Sequence, residues 1–297
     1  MNLQRYLARR QQRIDRFLER CIPPANETDP LTQAMRYSLF PGGKRIRPIL
    51  AIAATEAVGG TVTPVLPFAC ALELIHTYSL IHDDLPSMDD DDLRRGQPTS
   101  HRVFGEGIAI LAGDALLTEA FRIMAEAVAK PAVSQRRALQ VLTEIANAAG
   151  ARGMVAGQAD DLGAEDRAID LPTVEWIHIR KTGALIRAAV RAGALLGRAR
   201  IEQLQRLTRY AECLGLAFQI ADDILDAEGT ADLTGKNTGR DQARHKATFP
   251  AVLGLAAAKE RARDLLVNAL EELRGFKRVA EPLRQIARSA VERACPP

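Results

Sequence analysis

Aromatic residues make up only 4% of this 297-residue chain, too few to build the platforms on which single-stranded nucleic acids stack. Charge of one sign is also scarce. Lys and Arg number 40 against 37 Asp and Glu, a formal net charge of +3, which is too small to suggest a phosphate-backbone-binding surface. Nucleic acid is therefore not an expected partner. The four cysteines, Cys21, Cys70, Cys213 and Cys295, stand far apart with no C-x-x-C pair. That argues against a disulfide framework or a zinc site and predicts reduced packing residues of a cytoplasmic protein. No uncharged apolar run reaches about 18 residues, so no membrane span is expected. There is no alternating run of β-branched residues bounded by turns, so strands are not expected. Neither a G-x-S-x-G elbow nor a Cys/His pair offers a side-chain nucleophile.

What is present is apolar and helical. Apolar residues account for 47% of the chain, enough for a substantial core. The start, Met1 to Arg20, is arginine-rich but contains Asp15 and Glu19. Leu3, Leu7, Ile14 and Leu18 recur at helical spacing, which predicts a first packing helix rather than a transit peptide. Asp29-Pro30 and Leu171-Pro172-Thr173 read as helix starts. Breaks fall near Pro23-Pro24, Pro41-Gly42-Gly43, Gly59-Gly60, Lys130-Pro131, Gly163 to Asp170 and Gly229 to Gly239. Between them lie alanine- and leucine-rich runs such as Ile108 to Ala129, Val174 to Leu196 and Leu204 to Asp226. No linker-like shift in composition divides the chain, so one all-α domain covering residues 1–297 is expected.

Two acidic clusters stand out. Asp222 and Asp226 are at i and i+4, so their carboxylates share a helix face, with Gln219 and Gly215 continuing the stripe. Like charges at this spacing repel unless a cation neutralises them, and carboxylates without Cys or His suit Mg²⁺. The other cluster runs His82-Asp83-Asp84-Leu85-Pro86-Ser87-Met88-Asp89-Asp90-Asp91-Asp92. Pro86 disfavours helical geometry at Leu85. A helix break near Asp84 and a short loop returning Asp89 towards Asp83 are the expectation. Mg²⁺ prefers one or two carboxylates plus phosphate oxygens, so two clusters facing one cavity imply a polyphosphate substrate. Basic residues strengthen that reading. Gly42-Gly43-Lys44-Arg45-Ile46-Arg47-Pro48 puts three cations in a glycine-led loop entering a helix, a candidate diphosphate cradle. Arg94-Arg95 follow the first cluster, Lys181-Thr182-Gly183 lie in a helical region, and Lys236 and Lys246 flank the loop after the second.

Over nearly its whole length the chain resembles the short-chain trans-isoprenyl diphosphate synthases. The matching segments are Gly42 to Pro48, Glu73 to Gly96, Gly113-Asp114, Gly157-Gln158, Lys181-Thr182-Gly183 and Phe218 to Asp226, in that order. The resemblance implies an all-α bundle of about ten or more helices around a central cavity, acting as a homodimer. It implies that Lys44, Arg47, His76 and Arg95 hold the diphosphate of isopentenyl diphosphate. Asp83, Asp89 and Asp222 would carry three Mg²⁺ ions. Arg94, Lys181, Thr182, Gln219, Lys236 and Lys246 would contact the allylic diphosphate, with Asp84 and Asp223 completing the catalytic set. Two positions depart from the family pattern: Thr234 replaces a usual apolar residue and Arg240 a common lysine. Both weaken the expectation for Lys236.

The implied reaction ionises an allylic diphosphate and joins it to isopentenyl diphosphate. Tyr78 lies five residues before Asp83, about 7 Å along a helix axis, and Ser79 one turn before it. This arrangement resembles bacterial-type farnesyl synthases and points to a C15 product, with a C20 geranylgeranyl product as the alternative. A class I terpene cyclase or a non-catalytic partner subunit would explain fewer of these residues. Two Glu-x-x-His pairs, Glu73/His76 and Glu175/His178, raise a di-iron site, but that reading accounts for neither aspartate cluster. Glu175 and His178 are expected to be a surface pair. From Glu260 onward the sequence reads as charged amphipathic helices without evident chemistry.

Overall fold

The structure, a computed structural model, describes residues 1–26, 28–165, 167, 169–229 and 248–295. In chain order the first eleven helices are α1 (Leu3–Cys21), α2 (Pro30–Leu39), α3 (Ile46–Ala57), α4 (Leu66–Asp83), α5 (Ser100–Phe104), α6 (Glu106–Val128), α7 (Gln135–Ala149), α8 (Met154–Ala164), α9 (Leu171–His178), α10 (Ala184–Leu196) and α11 (Ile201–Ala227). Helices Phe249–Leu253, Leu255–Glu272 and Glu281–Glu292 follow. The fold is all-α, as the periodicity indicates.

Local chemistry sets the helix ends. The Asn2 side chain accepts from the Arg5 N–H at 2.9 Å and starts α1, whose Ile14 and Leu18 are fully buried while Leu3 and Leu7 pack at the edge of the core. Asp29 caps α2 by accepting from the Thr32 N–H at 2.9 Å, and Pro30 occupies the first turn, where its missing N–H costs nothing. Asp170 caps α9 in the same way through the Thr173 N–H at 3.0 Å. Helix α4 is apolar almost all round and buried from Leu66 to Ile75, the pattern of a central helix. It packs against α3 and α6, while α10 lies among α3, α7 and α11. A second apolar cluster gathers Val174, Ile220, Ile224, Leu265 and Val291 around Phe249.

Two local features depart from the sequence reading, and both shape the site. Leu93–Arg94 pairs antiparallel with Gln97–Pro98. The turn between them has Arg95 at φ 54° and Gly96 at φ 77°, the positive φ values that a tight hairpin demands. Two residues per strand are too few for any alternation to register. Within the predicted helical run Val174–Leu196, residues Ile179–Gly183 form a π-helical turn between α9 and α10. Such turns are rare and concentrate at functional sites. This one carries Lys181 and Thr182.

Candidate active site

A cavity of about 1040 Å³ opens between the Gly42–Arg47 segment, the C-terminal half of α4, α8, the π-helical turn and α11. Pro86 ends α4 as expected, and the chain folds back. The Asp89 N–H donates to the Asp83 carbonyl at 2.7 Å, and the Asp91 N–H to the Asp84 carbonyl at 3.1 Å. Asp83 and Asp89 thereby come to line the cavity together. Burial raises the Asp83 carboxyl to about 6; Asp89 adds to the rise, against Lys181 and Arg94. Asp84 faces the other way. It is 4% exposed and receives the Arg94 Nε–H at 2.9 Å, while Arg94 also reaches Asp91 at 3.3 Å.

The second cluster divides similarly. Asp222 and Asp226 line the cavity one turn apart, and Asp222 accepts from Arg293 Nη2 at 3.2 Å. The Arg293 guanidinium lies 4.9 Å from the centre of the Phe218 ring. Asp223 is buried beside the cavity-facing stripe of α11, where it accepts from the Phe249 N–H at 3.1 Å and Gln219 Nε2 at 3.0 Å and meets His178 Nε2 at 2.9 Å. Gln219 Oε1 in turn accepts from the Thr182 hydroxyl at 2.9 Å. A four-residue relay, His178–Asp223–Gln219–Thr182, therefore ties the floor of α11 to the π-helical turn. The expectation of a surface Glu175/His178 pair is wrong for the histidine. His178 is 7% exposed and stacks on Phe249, because it must reach a buried carboxylate. Glu175 pairs with Arg261 at 3.0 Å and Glu73 with Arg45 at 3.0 Å, so both Glu-x-x-His carboxylates are already engaged.

All three cations in the glycine-led loop border the cavity, Lys44 and Arg47 beside His76, but the Arg45 side chain is only 2% exposed. Arg45 has a left-handed backbone, φ 47°, and its guanidinium is taken up by Asp15, Glu73 and the Leu39 carbonyl at 3.0, 3.0 and 2.7 Å. Burial lowers the pKa of Arg47 despite the pull of Glu73; burial and Arg293 lower that of Lys44 despite Asp222. Both pay this electrostatic cost at a site where an anion would relieve it. Arg95 bonds the Gly42 carbonyl, and its Nη1 would stand 2.8 Å from a Cβ at Gly43. A side chain there would push the guanidinium aside. Lys181 Nζ meets Asp161 at 2.6 Å; burial opposes its charge, but Asp161 and Asp83 outweigh it and hold the ammonium above its usual range. Tyr78 and Ser79 also line the cavity, Tyr78 buried and edge-on to His82, Ser79 donating to the His76 carbonyl at 2.9 Å. Lys236 and Lys246, with Thr234 and Arg240, lie outside the described residues.

A model of the polyprenyl synthetase family matches residues 28–286. The chain belongs to that family. Among its relatives is the farnesyl diphosphate synthase of Geobacillus stearothermophilus, 49% identical over 261 residues, covering 88% of each chain. The geranylgeranyl diphosphate synthase of Cyanophora paradoxa is 46% identical, covering 98% of this chain and 97% of its own. A solved structure of an FPP/GFPP synthase from Zymomonas mobilis superposes with a TM-score of 0.87 at 40% identity, covering 98% of this chain and 99% of that one. This polyprenyl synthetase is a trans-prenyltransferase of isoprenoid biosynthesis.

Sequence reasoning missed three partners within the family fold: Asp161, His178 and Arg293. Asp161 had a signal, since it sits one turn beyond the Gly157-Gln158 motif. Arg293 had none, being 71 residues from Asp222.

Proposed function

We propose that this trans-prenyltransferase joins isopentenyl diphosphate to dimethylallyl and then geranyl diphosphate, giving farnesyl diphosphate, C15, from the one cavity described above. The observation that carries the C15 reading is Tyr78, a buried aromatic in the cavity wall one to two helical turns before Asp83. A growing chain directed past Asp83 along α4 meets that ring. The C20 product is the second reading, favoured by the 46% identity to a geranylgeranyl diphosphate synthase.

In this reading Lys44, Arg47, His76 and Arg95 hold the isopentenyl diphosphate, and Lys181, Thr182 and Gln219 hold the allylic diphosphate, with Lys236 and Lys246 assigned there by family pattern alone. Arg94 fixes Asp84 and thereby the turn that carries Asp89. Asp223 positions Gln219. The donor set offered by Asp83, Asp89 and Asp222 is hard oxygen throughout. That suits Mg²⁺, which completes its shell from phosphate oxygens. Three bound Mg²⁺ ions would supply Lewis acidity at the departing diphosphate. The basic residues add fixed positive charge where the leaving group gathers negative charge, without reorganisation during the reaction. The chain works as one domain, 1–297, in the cytoplasm, and pairs with a second copy of itself. Among the described residues no helix is long and apolar enough to cross a membrane.

Purified protein incubated with isopentenyl diphosphate, dimethylallyl diphosphate and Mg²⁺ is expected to give a C15 alcohol after dephosphorylation, lost with chelator and with Asp83→Ala. A C20 product would replace the chain-length reading alone. No condensation by folded protein would overturn the site assignment.

A further inference from the structure

Helix α1 carries a charge pattern that the cavity does not use. On an ideal helix Arg5, Arg9, Arg13, Arg16 and Arg20 fall within an arc of about 80° and form a stripe about 22 Å long. Four of them are exposed and Arg13 is half-buried. Among the described residues none of the five has an ion-pair partner. Arg13 Nη2 donates to the Thr63 hydroxyl at 3.0 Å, Arg16 Nε to the Gln12 carbonyl at 3.2 Å, and Arg20 lies over the Phe17 ring. The sixth arginine of the helix, Arg10, lies off the stripe and is paired with Glu56. Asp15 and Glu19 fall outside the arc, and Asp15 is already bound by Arg45 at 3.0 Å. Like charges three and four residues apart repel, so the stripe weakens the helix unless an anion lies against it.

A groove of about 770 Å³ runs beside the stripe. The five arginines line it together with Arg10, Tyr6, Thr63 and Leu66, and no carboxylate does. Its natural ligand is therefore anionic, and guanidinium groups bond phosphate oxygens in pairs. A soluble diphosphate can engage two or three of these groups, whereas a line of five fits an extended surface. Nucleic acid is extended too, but the only ring in the groove, Tyr6, has its hydroxyl committed to Glu56 at 2.7 Å, which leaves no stacking platform. The stripe also faces away from the cavity. Gln11, which donates to the Gly43 carbonyl at 3.1 Å in the cavity wall, lies about 160° round the helix from its middle.

We propose that the arginine stripe of α1 docks this enzyme on a phospholipid bilayer that carries anionic headgroups. The apolar face of the helix is spent in the protein core, with Ile14 and Leu18 fully buried, so α1 lies on the membrane without inserting into it. Attachment is electrostatic and is screened by salt. An isoprenoid diphosphate released at that surface can pass its apolar tail directly into the bilayer.

Co-sedimentation of the full-length protein with phosphatidylcholine vesicles containing about 30% phosphatidylserine, in about 0.05 M salt, tests the docking. Binding is expected there, and its loss is expected on pure phosphatidylcholine and in about 0.5 M salt. Arg5→Gln/Arg9→Gln removes two side chains without an ion-pair partner, so the melting temperature is expected to stay within about 2 °C of wild type. Vesicle affinity is expected to fall about 25-fold, about fivefold per arginine. Arg136→Gln/Arg152→Gln removes the same charge from exposed positions on other elements and is expected to keep the affinity within about twofold. Vesicle binding needs no turnover, so its outcome is independent of the condensation reaction. Equal binding to neutral vesicles, equal loss in the two double variants, or no binding to anionic vesicles overturns the proposal. In the last case, binding of inorganic tripolyphosphate or of an oligonucleotide that Arg5→Gln/Arg9→Gln abolishes would make a soluble polyanion the occupant instead.

Discussion

Replacing Asp83 by Asn should stabilise the metal-free protein while abolishing turnover. The reason is visible in its surroundings: burial raises this carboxyl from 3.8 to about 6, and Asp89 adds to the rise more than Arg94 takes away, with Lys181 the strongest opposing charge. A group whose folded pKa exceeds its unfolded one binds more protons in the native state through the window between the two values. Its contribution to stability is therefore complete below about 3.8 and is lost as the pH rises through about 6. At neutral pH the charged side chain costs on the order of 3 kcal/mol relative to its neutral form. Asn is neutral at every pH and isosteric, so it recovers most of that. With an unfolding entropy typical of a chain this long, the gain corresponds to about 5 °C in melting temperature. Thermal melts of wild type and Asp83→Asn in chelator at pH 7.5, 5 and 4 read the effect directly. The stability gap is expected to be largest at pH 7.5, about half as large at pH 5 and nearly gone at pH 4. A variant less stable than wild type, or a gap independent of pH, refutes the electrostatic account. Mg²⁺ with inorganic diphosphate should reverse the order by stabilising wild type alone.

Three further outcomes follow from the geometry of the cavity and its supports. Tyr78→Ala should shift the product from C15 towards C20 with little loss of initial rate, read by chromatography of dephosphorylated products; an unchanged C15 product places the limit elsewhere in the cavity. Glu73→Ala should remove about 3–5 kcal/mol of stability, because it strips a partner from an arginine whose pair is 2% exposed on both sides; a melting temperature within a degree of wild type would show Asp15 and the Leu39 carbonyl to suffice. Arg293→Gln should leave stability nearly unchanged, since its partner Asp222 is 46% exposed. It should lower the Mg²⁺ concentration giving half-maximal rate several-fold, since the guanidinium competes for that carboxylate; a higher requirement would make Arg293 a positioning residue instead.

The parts of this protein that were legible in its sequence are those governed by neighbours along the chain. Helix starts at Asp29-Pro30 and near Pro172, the stop imposed by Pro86, and the return of Asp89 to Asp83 all depend on a few adjacent dihedrals. The shared face of Asp222 and Asp226 follows from helical spacing alone. What stayed hidden depends on which way a side chain turns once tertiary contacts compete for it. Arg45 sits between Lys44 and Arg47 and is a cation like them, yet on a left-handed backbone its charge is consumed by a buried glutamate. His178 resembled one half of a surface pair, but the π-helical turn that begins at the next residue sets its ring beneath α11.

The aspartates make the same point in energetic terms. Each cluster begins with two adjacent carboxylates, and in each pair the structure exposes the first to the cavity and buries the second against an internal donor, Arg94 for Asp84 and the Gln219–His178 relay for Asp223. Successive helical residues point about 100° apart, so both cannot face one site. The buried member satisfies its charge within the protein and holds the segment still. The cavity-facing member is met less fully: Asp83 is raised to about 6, and Asp222, 46% exposed, has a part-exposed ion pair with Arg293. The doubled aspartate is thus a division of labour, with rigidity from one carboxylate and unspent affinity for a cation from the other.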